Sequence, residues 1–318
     1  MNPAAPPPLP PAALVLNGVT KRYGDFTAVN ELSLTVPSGC IFGFLGPNGA
    51  GKTTTLRMIL EIIQPTSGTI TLLGAGSALE LRTRIGYLPE EKGLYKKMKA
   101  WSVIAYFATL KGLSRSAAKT RAFQLLERYG LKDFAEARTE ALSKGMGQKV
   151  QVLAAIAHDP EFVILDEPFS GLDPVNQSVM EDIITDLRAR GRTVVFSTHV
   201  MAHAERLCDR LAIIAGGRKL FDGTPEEARR TLPGRVRLQV AEPISAETLQ
   251  SLPGIAALVA GADNRWEIEI SEGADPQGLL EGCFNRGIRL RSFQFVEPTL
   301  HDVFLNLVGP EAREAAFR

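Results

Sequence analysis

The chain has 318 residues, of which 45% are hydrophobic and 22% charged, a composition typical of a globular protein long enough for two domains. Its net charge of +1 does not indicate a general nucleic-acid binder, and we expect no nucleic-acid partner. Its three cysteines, Cys40, Cys208 and Cys283, lie far apart in the sequence, which argues against a disulfide framework or a zinc site and favours a reducing compartment.

The N-terminal segment, residues 1–13, is rich in Pro and Ala and carries no charged side chain. It lacks the charged and apolar regions of a secretory signal, so we predict a disordered or polyproline-like tail, with a partner-binding PxxP role as the alternative. No apolar run in the chain approaches the roughly 18 to 20 residues of a membrane span.

A phosphate-binding motif follows the first predicted strands, residues 13–23 and 27–36. An apolar strand, Ile41 to Leu45, leads into G-x-x-x-x-G-K-[ST], and a helical pattern begins at Thr54. Glycines let backbone N–H groups wrap a phosphate, and the start of the following helix adds positive potential. Lys52 supplies a charge for the β- and γ-phosphates, and Thr53 supplies a hydroxyl for Mg²⁺. The predicted nucleotide-binding residues are Gly46, Pro47, Asn48, Gly49, Ala50, Gly51, Lys52, Thr53 and Thr54.

Strands and helices alternate through the middle of the chain. Strands are predicted at residues 67–73 and 84–88, then helices over residues 100–129 with a break at Gly112-Leu-Ser. Two β-branched runs, residues 162–165 and 193–197, are typical of buried parallel strands, and helical patterns follow each, at residues 174–190 and 201–208. This alternation predicts an α/β domain around a mostly parallel sheet.

Two acidic residues end the strand at residues 162–165. Asp166 suits a magnesium ligand beside the phosphate loop, and Glu167 suits a base that orients and deprotonates the attacking water. His199 directly follows the next strand, which we expect to neighbour the strand that ends in Asp166. It is a candidate catalytic residue that contacts the γ-phosphate and positions the water.

A second domain is predicted beyond Pro233-Gly234. A hairpin at residues 211–221 and a short helix with Thr224 as N-cap precede this boundary. After it the pattern predicts strand, helix, strand, strand, helix, strand and a final helix, the β-α-β-β-α-β order of a ferredoxin-like sandwich. By analogy, domains of this fold can host a regulatory small-molecule site, and packing or dimer support is the simpler role.

With these motifs the sequence resembles the ATP-binding subunit of an ATP-binding cassette (ABC) transporter over residues 14–224. Residues 46–53 resemble the Walker A motif, Leu165-Asp166-Glu167 the Walker B motif and Ser170-Gly-Leu-Asp173 the D-loop. Leu142-Ser143-Lys144-Gly145-Met146 resembles the family signature, which separates ABC ATPases from other phosphate-loop enzymes. The resemblance implies that Tyr23 stacks on adenine, that His199 is the switch histidine, and that Ser143, Gly145 and Asp173 serve the ATP of a partner subunit.

Two departures from the family pattern stand out. Glu90 occupies the position of the family's Q-loop glutamine, and its carboxylate is a candidate magnesium ligand that can alter metal preference or coupling. Lys144 and Met146 replace a Gly and a Gln of the signature, while Ser143 and Gly145 remain.

The resemblance implies an α/β fold: an ABC ATPase domain (residues 14–232) with a mixed sheet and a helical subdomain at about residues 90–158. A small α+β ferredoxin-like domain (residues 233–318) follows. It further implies an enzyme that binds ATP and Mg²⁺ in a homodimer or heterodimer and drives transmembrane permease subunits from the cytoplasmic face of the membrane, with export favoured. The alternatives are a soluble ABC ATPase acting on nucleic acid or the ribosome, and a phosphate-loop kinase. The single phosphate loop and the lack of sustained heptads argue against the soluble ATPase that acts on nucleic acid or the ribosome. The signature argues against the kinase.

Overall fold

The computed structural model describes residues 11–75, 77–91, 93, 95–271 and 273–316, with side chains as far as residue 309. Most of the predicted tail, residues 1–10, lies outside the described residues, and the first strand begins at Ala12. The described part of the chain contains no helix that is both long and apolar enough to cross a bilayer.

The described residues form two compact units, one of residues 11–225 with 310–316 and one of residues 226–309. The strands in chain order are β1 (Ala12–Tyr23), β2 (Phe26–Pro37), β3 (Ile41–Leu45), β4 (Ser67–Leu72), β5 (Ile85–Leu88), β6 (Phe162–Leu165), β7 (Thr193–Thr198), β8 (Arg210–Ala215), β9 (Arg218–Gly223), β10 (Arg235–Val240), β11 (Ile255–Ala260), β12 (Arg265–Ile270) and β13 (Leu290–Val296). The α-helices are α1 (Lys52–Ile59), α2 (Ala100–Leu110), α3 (Arg115–Arg128), α4 (Lys144–Ile156), α5 (Pro174–Ala189), α6 (Met201–Leu207), α7 (Pro225–Arg229), α8 (Ala246–Gln250), α9 (Pro276–Asn285) and α10 (Leu300–Ala316), the last interrupted at Gly309.

A six-stranded sheet in the order β5-β6-β7-β3-β8-β9 forms the centre of the larger unit. Its first five strands run parallel, and β9 pairs antiparallel with β8. The predicted α/β class with a mixed sheet is therefore confirmed. Since parallel strands end at one edge, β3, β6 and β7 bring the phosphate loop, Asp166 and His199 to that edge, as expected from the sequence.

A separate antiparallel sheet, β2-β1-β4, belongs to the same unit. Its inward side chains share one core with the six-stranded sheet and α1, a core in which Phe42, Phe44 and Phe162 are fully buried. This packing fixes α1, and with it the loop that precedes α1, against two sheets.

The smaller unit has a core of its own. Its sheet has the order β11-β12-β10-β13 with antiparallel neighbours, and its elements follow the predicted β-α-β-β-α-β sequence before α10. Alternate residues of β10, Val236, Leu238 and Val240, are buried against apolar side chains of α8 and α9 that include Leu249 and Leu279. Such alternation is typical of a sheet with one packed face.

Candidate functional site: a phosphate loop beside an Asp-Glu pair

The phosphate loop joins β3 to α1, and its shape requires glycine at two positions. A Cβ atom at Gly46 would lie 2.1 Å from the carbonyl oxygen of Ile214. Gly51 has a φ of 97°, and a Cβ atom there would lie 2.5 Å from the carbonyl oxygen of Ala28. Any side chain would displace the loop, so these glycines keep its backbone open to a ligand.

Lys52, the first residue of α1, is buried at the base of the loop, with 6% of its surface exposed. Its Nζ donates to the carbonyl oxygens of Gly46 at 2.7 Å and Pro47 at 3.1 Å, and lies 3.5 Å from Oε1 of Glu167. Burial lowers the pKa of the Lys52 ammonium, and the negative charge of Glu167 opposes that shift. The loop thus holds a positive group at the position that its motif assigns to phosphate binding.

Asp166 is fully buried at the end of β6, and one of its oxygens has no protein partner. Its Oδ1 accepts hydrogen bonds from Thr53 Oγ1 at 3.2 Å and Ser197 Oγ at 2.5 Å, whereas Oδ2 is buried and unpaired. An unpaired buried carboxylate oxygen is costly unless a cation offsets its charge. Asp166 and Thr53 therefore fit the predicted magnesium ligands.

No group of three His, Cys, Asp or Glu side chains that could enclose a metal ion by itself occurs in the part of the chain that the structure describes.

Glu167 is held in an unusual backbone conformation beside His199. Its φ is 48°, a value uncommon for a residue with a side chain, and its N–H donates to Ser197 Oγ at 2.8 Å. Its Oε2 lies 3.0 Å from Nδ1 of His199, whose side chain is half exposed. The predicted base and the predicted switch histidine are thus in direct contact, with the Glu167 carboxylate between His199 and Lys52.

Most of the predicted nucleotide-binding residues line one cleft of about 300 Å³. Its wall consists of Tyr23, Phe26, Ala28, Asn48, Gly49, Ala50, Gly51, Lys52, Thr53, Thr54, Glu90 and Glu167. Tyr23 is 48% exposed, and Nζ of Lys21 lies 5.1 Å from the centre of its ring. The structure therefore brings the aromatic residue, the phosphate loop and Glu90 to the same site.

The signature residues lie elsewhere. Ser143 caps α4 by accepting a hydrogen bond from the N–H of Met146, and it lines a second cleft with Lys144. Asp173 caps α5, where its Oδ1 accepts a hydrogen bond from the N–H of Asn176. The side chain of Asn176 also packs against Gly145, where a Cβ atom would lie 2.4 Å from its Nδ2. Among the described residues that line the phosphate-loop cleft, neither Ser143, Gly145 nor Asp173 occurs.

Two residues beside the site had no role in the sequence-based prediction. Ser197 bonds to Asp166 and Glu167, and His203 lines a cleft of about 670 Å³ together with Glu167 and His199. Ser197 lies next to Thr198-His199, but no sequence pattern distinguishes it from other serines. Its contacts depend on the register of β7 against β6, which only the structure gives.

A parallel sheet that carries a phosphate loop, an Asp-Glu pair and a facing histidine defines a phosphate-loop nucleotide hydrolase. Comparison with known proteins identifies the family. Residues 29–170 match the ABC transporter family model, and residues 223–308 match the model described as "ATP-binding protein DrrA1-3-like, C-terminal domain".

Relatives match along almost the whole chain. The ABC transporter ATP-binding protein YhaQ of Bacillus subtilis is 39% identical over 93% of this chain and 98% of its own length. The Nod factor export ATP-binding protein I of Burkholderia lata is 35% identical over 96% of this chain and all of its own. A solved structure of an ATP-binding subunit of an ABC transporter superposes with a TM-score of 0.64 at 31% identity, covering 69% of this chain and 92% of that one.

A second solved structure, cbiO1 from Clostridium perfringens, has a TM-score of 0.61 at 25% identity, covering 68% of this chain and 90% of its own. It is described as part of the ABC transporter complex cbiONQ. The chain belongs to the ABC transporter ATP-binding proteins: it binds ATP, and it is an ATPase.

Proposed function

We propose that the chain hydrolyses MgATP in a dimer of two cassettes and thereby drives transmembrane permease subunits. The observation that carries this proposal is the convergence of Lys52, Asp166, Glu167 and His199 around the phosphate loop. In this proposal Lys52 binds the β- and γ-phosphates, Glu167 takes the proton of the attacking water, and His199 orients Glu167 and contacts the γ-phosphate.

Thr53 and Asp166 are the residues proposed to hold Mg²⁺, which when bound neutralises charge on the β- and γ-phosphates. Glu90 lines the same cleft, and its negative charge acts on Lys52. We assign Glu90 as an oxygen ligand in place of the family's glutamine, and Tyr23 as the face on which adenine stacks.

The dimer follows from the separation of the two half-sites. Ser143 and Gly145 lie at the start of α4, a location suited to an anion, yet they do not line the phosphate-loop cleft of their own chain. The composite site is completed in this proposal when the signature and Asp173 of one chain face the phosphate loop of the other. Since one chain carries both halves, a homodimer is active at both sites.

Substitution Glu167→Gln tests the proposed base. It keeps the size of the side chain but removes the proton acceptor, so we expect the ATPase rate to fall about 10²- to 10⁴-fold while ATP binding persists. An ATP-bound dimer should then accumulate and be visible by size-exclusion chromatography. The control is Glu161→Gln, which changes only an exposed ion pair with Arg84 and should leave the rate and the oligomeric state unchanged. Wild-type turnover in Glu167→Gln would exclude Glu167 as the base.

The proposed permease contact lies in the segment after Glu90. Tyr95 and Tyr106 are 52% and 42% exposed, and their rings meet edge to face with centroids 5.8 Å apart. Exposed aromatic side chains of this kind are typical anchors of protein interfaces. The solved relative that is part of a transporter complex supports a membrane partner, and the relatives named for Nod factor export support export. We therefore propose that the chain works at the cytoplasmic face of the membrane as a peripheral subunit.

Purification of the tagged chain from detergent-solubilised membranes tests this partnership. We expect a multi-span membrane protein to copurify with wild type and to be lost from the double variant Tyr95→Ala and Tyr106→Ala. Phe284→Ala, which removes an exposed aromatic ring of the smaller unit, is the matched control. Copurification of ribosomal or nucleic-acid components in place of a membrane protein would support the soluble alternative.

A further inference from the structure

Ser197 is a buried hydroxyl that contacts both acidic residues of the site. It lies near the end of β7 with none of its surface exposed. Its Oγ donates to Asp166 Oδ1 at 2.5 Å and accepts from the N–H of Glu167 at 2.8 Å. A hydroxyl has one proton to donate, so these two bonds together fix its orientation.

The first bond decides which oxygen of Asp166 remains free. Ser197 and Thr53 both donate to Oδ1, while Oδ2 is buried without a partner. The backbone N–H of Asp166 also donates to the carbonyl oxygen of Leu88 at 2.9 Å, so the residue is held from both sides. The carboxylate therefore presents one defined oxygen, rather than either of two, to a cation.

The second bond stabilises the strained residue next along the chain. Glu167 has a φ of 48°, and such a conformation persists only where surrounding contacts maintain it. The Ser197 hydroxyl is the acceptor for its buried N–H. In this conformation the Glu167 carboxylate reaches Lys52 on one side and His199 on the other.

We infer that Ser197 is a positioning residue for the hydrolytic reaction: it orients Asp166 toward the metal and Glu167 toward the attacking water. This inference rests on the proposed function, because it assumes the roles given there to Asp166 and Glu167. Groups that orient metal ligands typically change metal affinity or activity by 10- to 100-fold when removed.

The test compares Ser197→Ala with Thr193→Val. Thr193 lies at the opposite end of the same strand, is equally buried, and its Oγ1 likewise accepts a hydrogen bond from a backbone N–H, that of Gly39 at 2.9 Å. Both variants leave one N–H without its acceptor, but only Ser197→Ala also removes a donor to Asp166. The matched pair separates a general loss of stability from a loss of orientation.

Four quantities are measured for each full-length variant: the unfolding midpoint, the affinity for a non-hydrolysable ATP analogue in EDTA, the Mn²⁺ affinity of the analogue complex by electron paramagnetic resonance, and the ATPase rate. For Ser197→Ala we expect unchanged affinity for the analogue in EDTA, about 10- to 100-fold weaker Mn²⁺ binding and a similar fall in kcat. Thr193→Val should lower the unfolding midpoint about as much as Ser197→Ala does, and the other three quantities should keep their wild-type values.

The inference is overturned if Ser197→Ala has the Mn²⁺ affinity and the kcat of wild type. It is also overturned if Thr193→Val loses as much Mn²⁺ affinity and as much kcat as Ser197→Ala. A different result would instead count against the proposed function itself. If the wild-type analogue complex bound no Mn²⁺, or Asp166→Asn did not weaken that binding, the assigned metal ligands would be wrong whatever Ser197 does.

Discussion

Two histidines outside the phosphate loop, His158 and His203, are kept neutral by their surroundings. His203 is 5% exposed, its Nδ1 has no partner and its ring lies 4.0 Å from that of Phe169. Burial lowers the pKa of His203 to about 4, assisted by the positive charge of Arg206. Burial also lowers the pKa of His158 to about 4, assisted by Lys111.

These shifts predict a loss of stability in mild acid. Between pH 6.5 and about pH 4 the unfolded chain binds a proton at each histidine that the folded chain does not, so folding is destabilised as the pH falls. The destabilisation is absent above pH 6.5, where both histidines are neutral in the folded and in the unfolded chain. Below about pH 4 each lowered pKa reduces the free energy of unfolding by on the order of 3 kcal/mol.

Denaturant unfolding of wild type and His203→Leu at several pH values measures this effect. The free energy of unfolding of the variant should fall less steeply between pH 6.5 and 4, and the double variant with His158→Gln should be flatter still. Measurements above pH 7, where both histidines are neutral in either state, give the reference for each variant. If the free energy of unfolding fell equally steeply with pH in wild type and in His203→Leu, the lowered pKa of His203 would be contradicted.

The helices α3 and α4 each begin with a serine N-cap of similar geometry. Ser114 accepts from the N–H of Ala117 and Ser143 from that of Met146, each at 3.2 Å. Loss of a serine cap costs about 1 kcal/mol of stability. Only Ser143 belongs to the signature that we assign to a second nucleotide.

Ser114→Ala and Ser143→Ala should therefore have nearly equal unfolding free energies, each about 1 kcal/mol below wild type. Only Ser143→Ala should lower the ATPase rate, and its loss should grow with the fraction of dimer. Chemical denaturation and steady-state ATPase assays over a range of protein concentrations measure both quantities. An equal loss of rate in the two variants would show that Ser143 acts only as a helix cap.

The order of these elements along the chain was predictable, but their spatial arrangement was not. The break at Gly112-Leu-Ser separates α2 from α3 as predicted, since the apolar period fails there and Ser114 can cap a new helix. The phosphate loop was identified because its motif lies between a strand and a helix. The full order β5-β6-β7-β3-β8-β9 depends on long-range pairing that leaves no local pattern. The sequence predicted that β7 neighbours β6, but the register that brings Ser197 to Asp166 comes only from the structure.

At the scale of the whole molecule, the chain has two units with separate apolar cores. The proposed nucleotide site lies in the larger unit, and a ligand stabilises only what unfolds together with its site. Calorimetry should show two unfolding transitions, of which MgATP raises only one. At 100 times Kd the bound unit gains about 2.7 kcal/mol.

Ile268→Ala identifies the other transition. Ile268 is fully buried in the core of the smaller unit, and its truncation should cost about 2 to 5 kcal/mol there. We expect the variant to lower the transition that MgATP leaves unchanged, with no change in the other. A single transition that both treatments move would show that the units unfold together.

The contacts of Lys52 have a consequence for how ATP affinity should be understood. Its ammonium already has three oxygen neighbours, two backbone carbonyls and the carboxylate of Glu167. We expect phosphate oxygens that approach this ammonium to replace one of these contacts, so that part of the interaction energy with phosphate offsets the contact that is lost. The affinity for ATP then reflects the difference between two arrangements of the Lys52 ammonium, one with its protein contacts and one with phosphate oxygens. A substitution that weakens the resting contacts can tighten nucleotide binding while it slows the reaction, so binding strength and catalytic competence can change in opposite directions at this loop.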